Sequence, residues 1–63
     1  MKRKKFLIEL YTQLKEEAIE NGFPNGWQVL LSDAVIKRLN ANIDPKKVED
    51  WAVKIDKMWK KIH

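Results

Sequence analysis

The stretch from Ile43 to Ile62, IDPKKVEDWAVKIDKMWKKI, constrains this chain more than any other. Val48, Trp51, Ala52, Ile55, Met58, Trp59 and Ile62 recur at steps of three and four residues, a spacing that gathers them on one face of an α-helix. The helix has a marked start. Asp44 is placed to accept a hydrogen bond from the free N–H groups of the first turn, and Pro45 takes the first helical position, where its missing N–H costs nothing. Ile43 and Val48 stand where a hydrophobic staple would hold the entry to the helix.

A chain of 63 residues is one domain, 1–63, near the lower limit for independent folding; it buries only about 60% of the surface its unfolded form exposes. There is no cysteine, and the one histidine is the terminal residue, so neither a disulfide framework nor a structural metal is expected. Packing of the three tryptophans and two phenylalanines has to supply the core. Unbroken apolar runs such as Val29 to Leu31 are no longer than three residues, too short for a membrane span, and the lysine-rich start lacks the apolar segment of a signal peptide. A soluble monomer inside the cell, cytoplasmic or nuclear, is the expectation.

The first helix is expected over residues 3–21. Phe6, Leu7, Leu10, Tyr11, Leu14 and Ala18 form its apolar stripe, with Ile19 at the margin, and Glu9, Gln13, Glu16, Glu17 and Glu20 fill the other side. Asn21-Gly22 supplies the left-handed closure of that helix, and Phe23 is expected to plug one end of the core. The loop NGFPNG lacks the spacing of a phosphate-binding loop. A second helix is expected over 27–40, from Trp27, Leu30, Leu31, Ala34, Val35 and Leu39. Ser32-Asp33 in its middle is a potential second N-cap, so this region is read as one bent helix, with a split there as the alternative. With the third helix over 44–62, the fold class is all-α: a small three-helix bundle in which each apolar stripe must meet the others.

The net charge of +4 is unevenly placed. Lys2, Arg3, Lys4 and Lys5 crowd one end and Lys54, Lys57, Lys60 and Lys61 the other, with Asp56 among them. The residues between, 6–53, carry five basic and eight acidic side chains. Basic clusters of this kind suit phosphate backbones. Lysines at chain ends also aid solubility, and those in the last turns of a helix favour its dipole.

In this order of elements the chain resembles the homeodomain and its helix-turn-helix relatives. Trp51 and Trp59 followed by Lys60-Lys61 have the spacing of that family's third helix, with Val48 three residues before Trp51. LKEEAIENGF, Leu14 to Phe23, is similar to the end of its first helix, and Phe6 falls on the aromatic that follows its basic arm. The resemblance implies a DNA-binding module with the third helix in the major groove and residues 2–5 as an arm. The residues it assigns to double-stranded DNA are Arg3, Lys5, Lys47, Lys54, Lys57, Lys60 and Lys61. The sequence departs from the family where bases are read. Lys54 stands for the adenine-reading asparagine, Ile55 and Asp56 for two arginines, and Val53 for the specificity position. A lysine has only donors to offer, which favours guanine or phosphate over adenine.

Two other readings stay open. Ile36, Val53 and Met58 would form an exposed apolar strip for a partner protein helix. Strong patterning and good caps equally fit a designed or redesigned bundle with no ligand, although loops such as NGFPNGW and LNANID are irregular. No serine, cysteine or histidine sits with a catalytic partner, so no enzyme, cofactor or catalytic residue is expected; His63 is expected to fray.

Overall fold

Two turns of the same kind divide the chain. In the computed structural model, which describes residues 2–62, Gly22 adopts φ +89° and Asn42 φ +62°. At the first turn the amide of Phe23 donates to the carbonyl of Ala18 (2.9 Å) and that of Gly22 to Ile19 (3.1 Å). At the second, Ile43 donates to Arg38 (3.2 Å) and Asn42 to Leu39 (3.1 Å). Both are Schellman closures, which satisfy the last carbonyls of a helix through a residue that tolerates the left-handed region. They delimit three helices: α1 (Lys2–Glu20), α2 (Trp27–Asn40) and α3 (Pro45–Ile62). His63 lies outside the described residues.

α1 and α2 run antiparallel and form the largest helix-to-helix contact. The Lys15 ammonium meets Asp33 at 2.6 Å, Gln28 Nε2 donates to the Leu14 carbonyl at 2.7 Å, and Lys4 Nζ donates to Asn42 Oδ1 at 3.1 Å. α3 packs back along α2 in the opposite sense. Trp59 stacks on Trp27 with ring centroids 5.2 Å apart, and Arg38 lies 3.9 Å from the Trp51 ring centroid. The core between the helices is Leu7, Val35, Leu39, Val48 and Ala52, with Ile8, Tyr11, Leu31 and Trp51 packed against it. Val35 and Leu39 are fully buried, each contributing about 1.5–3 kcal/mol relative to exposure.

α2 is continuous through Ser32, so the split form does not occur. The Ser32 hydroxyl is buried and donates to the Gln28 carbonyl at 2.6 Å, which removes it from competition for backbone amides. Asp44 Oδ1 does face the Lys46 amide, but at 3.4 Å, a weak cap.

The bundle is open rather than triangular. Its extents are 32 × 25 × 15 Å and its radius of gyration is 11.6 Å, against about 10.6 Å for a compact chain of this length. α3 meets α1 less than it meets α2, and side chains expected in the core emerge as a result. Ile62 is 77% exposed because Trp59 is already level with Trp27, the first residue of α2, and Met58, on the side of α3 turned away from α1, is 55% exposed. Beyond that point α3 has no residue of α2 opposite it. Leu30, Phe6 and Phe23 are also more than half exposed. Phe23 does not plug the core; the Schellman turn carries it outward, and the Trp27–Trp59 stack closes that end instead.

Candidate nucleic-acid interface

The outward face of α3 is determined by what its inward face buries. Val48 and Ala52 are buried and Trp51, Ile55 and Trp59 half-buried. At 100° per residue, Lys46, Lys47, Asp50, Lys54, Lys57 and Lys61 then point away from the bundle. All six are exposed. The lysines among them have no ion-pair or hydrogen-bond partner among the described residues in side-chain contacts. From Lys47 to Lys61 the row rises about 21 Å along the helix.

The acidic residues of α3 are sorted by the same geometry. Glu49 turns toward α1, where the Arg3 guanidinium reaches both of its carboxylate oxygens at 2.5–2.6 Å. Asp56 turns toward α2, where Trp27 Nε1 donates to it at 2.9 Å, and Lys60 Nζ stands 3.0 Å from its other oxygen. The indole hydrogen bond, reinforced by Lys60, holds the Asp56 carboxyl below the usual carboxylate range. Tyr11 lies close enough to both acids to feel them. Burial first, then the charges of Glu49 and Asp56, push its phenol upward. Only Asp50 remains as a negative charge among the outward lysines.

The seven residues assigned from sequence therefore separate. Lys47, Lys54, Lys57 and Lys61 share one face of α3. Lys60 is held by Asp56 and Arg3 by Glu49. Lys5 is exposed on α1, two positions from buried Leu7 and so on the side away from the core. The expected basic arm is not an arm, since residues 2–5 are the first turn of α1. Arg3 anchors that turn against α3. Lys46 joins the row on exposure and direction. The Trp27–Asp56 bond links residues 29 positions apart, and no local pattern announces it.

These helices also enclose a cleft of about 430 Å³, with Tyr11 and Leu14 on one wall and Gln28, Leu31, Val53 and Lys57 on the others. No described helix is long and apolar enough to cross a membrane. Fold and surface together define a small all-α three-helix domain with one lysine-lined helix face. The sequence matches no protein-family model, and no curated protein or solved structure shows significant similarity to it.

Proposed function

We propose that this domain binds double-stranded DNA through the outward face of α3, contacting the phosphate backbone with Lys47, Lys54, Lys57 and Lys61, and with Lys46 beside them. One observation carries the reading. The acidic residues Glu49 and Asp56 are turned inward and bound by Arg3, Trp27 and Lys60, while the lysines of α3's outer face are exposed. The result is a nearly single-sign row on a rigid helix, which attracts a polyanion more strongly than scattered lysines do. The homeodomain resemblance adds that this helix is the one such folds place in the major groove. Lysines act as point charges on phosphates and Asp50 opposes a close approach, so the binding is sequence-tolerant.

A titration of fluorescent duplex DNA at increasing salt tests this. With about five phosphates contacted, log K falls against log salt with a slope near −4.5. Lys54→Glu and Lys57→Glu weaken binding and flatten the slope by about 1 each. Lys5→Glu, on the far side of α1, leaves both unchanged. Absence of binding at low salt, or equal effects of Lys5→Glu and Lys54→Glu, refutes the assignment.

A further inference from the structure

The side of the α2–α3 pair turned away from α1 is apolar and uncovered. The two bridging contacts, Trp27 with Trp59 and Arg38 with Trp51, fix the antiparallel register of the pair. In that register Leu30 and Ala34 of α2 lie level with residues 54–58 of α3. The cleft toward α1 takes Trp27, Gln28 and Leu31 from α2 and Ala52, Val53, Asp56, Lys57 and Lys60 from α3. The opposite edges of the same two helices carry Leu30 and Ala34 on one side and Ile55, Met58 and Ile62 on the other. Leu30 is 58% exposed, Met58 55% and Ile62 77%.

The charges bordering this strip are predominantly basic, with Asp50 the one acid beside it on α3. Lys37 borders it on α2, and Lys47, Lys54 and Lys61 border it on α3, all exposed. The one acid of α2, Asp33, lies on the α1-facing edge, where it pairs with Lys15 at 2.6 Å. Two neighbouring helices present a groove into which a third lays a ridge of side chains. The groove runs about 12 Å along α2 from Arg38 to Leu30, and α3 carries its apolar edge on past α2 to Ile62, about 16 Å from Trp51, the length of a three-turn helix.

We infer that this face docks an acidic amphipathic helix from a partner protein, its apolar ridge seated on Leu30, Ile55, Met58 and Ile62 and its flanking carboxylates against Lys37, Lys54 and Lys61. Apolar anchors supply the affinity of such an interface, and the lysine borders select an acidic over a basic helix. The inference does not rest on DNA binding. Its apolar residues lie outside the lysine row, although Lys54 and Lys61 border both surfaces.

The probe is a synthetic 14-residue helical peptide with leucines at i, i+3, i+4 and i+7 and glutamates on the flanks, beside a twin with lysines in place of the glutamates. Amide chemical-shift mapping is expected to show saturable shifts at Leu30, Ala34, Ile55, Met58 and Ile62 with the acidic peptide. Binding weakens at least tenfold for the lysine twin and for Met58→Asp, whose exposed site leaves the thermal melt of the domain unchanged. Leu30→Asp serves as the independent second variant, and Lys5→Glu as the variant that changes nothing. Equal binding of the two peptides removes the acidic-helix assignment, and shifts confined to the α1 cleft remove the surface. Sedimentation of the wild type as a dimer that Met58→Asp converts to monomer would also overturn the inference, because the occupant would then be a second copy of this chain. DNA affinity unaffected by Met58→Asp separates failure here from failure of the DNA reading.

Discussion

Replacing Asp56 tests the joint that holds α3 against α2. The carboxylate accepts the Trp27 indole N–H at 2.9 Å and pairs with Lys60 one turn later, and its side chain is 30% exposed. A hydrogen bond to a charged group contributes about 1.5–3 kcal/mol, and partial exposure puts this one at the low end. An i,i+4 pair with the acid N-terminal to the lysine adds about 0.3–0.5 kcal/mol. Asp56→Ala is therefore expected to cost about 2 kcal/mol, which in a chain this short lowers the melting temperature by about 8–16 °C. Asp56→Asn keeps an acceptor and loses the charge, so it falls between wild type and Asp56→Ala. Lys60→Ala removes only the weaker pair and shifts the melt by about 4 °C at most.

The same carboxyl gives the effect a pH dependence. Its folded pKa is depressed, so its contribution is complete above the unfolded carboxylate value of about 3.9 and is lost as pH falls through the lower folded value. The gap between wild type and Asp56→Ala in thermal melts followed by circular dichroism is expected to be constant from about pH 5 to 7. Below about pH 4 it closes. A gap under 2 °C at neutral pH, or one that widens in acid, refutes the reasoning.

Leu39→Ala, at a fully buried position, is expected to cost about 2–5 kcal/mol. That loss is comparable to the whole stability of so small a domain, and urea unfolding is expected to show little or no folded baseline. Gly22→Ala places a Cβ on a residue at φ +89° and should cost about 1 kcal/mol, read as a lower urea midpoint with an unchanged m-value. Arg3→Ala, which breaks an ion pair whose arginine is 58% exposed, is expected to change stability by less than about 1 kcal/mol and to leave DNA affinity within twofold.

The helices were legible because each is written twice, once in apolar spacing and again in its ends. Asn21-Gly22 and Asn42 do in the structure what their residue types foretell, and Pro45 opens α3 as expected. What sequence spacing does not contain is how far one helix overlaps its neighbour. Ile62 and Met58 share a stripe with Trp59, and the spacing places Ile62 in the core with it. Ile62 is exposed because α2 begins only at Trp27, level with Trp59. For the same reason the charges were countable but not sortable. Glu49, Asp56 and Asp50 look alike in sequence, and only the placement of Arg3 and Trp27 distinguishes the two turned inward from the one left among the lysines. Ser32 illustrates the opposite case: the potential second N-cap became a buried back-bonding hydroxyl, and the single helix expected over 27–40 is continuous.

The uneven contacts among the helices also bear on how the molecule opens. α1 and α2 are joined along their lengths by packing and by the Lys15–Asp33, Gln28–Leu14 and Lys4–Asn42 contacts. α3 is attached mainly through Val48, Ala52 and its tryptophans. Such a chain is expected to show two tiers of cooperativity, a hairpin that opens only with global unfolding and a third helix that detaches first. Native-state hydrogen exchange would resolve them, with the amides of α3 exchanging ahead of those around Val35 and Leu39. Because two of the three tryptophans lie on the detaching element and the third is stacked against it, indole fluorescence would report the partial opening before circular dichroism reports the loss of helix.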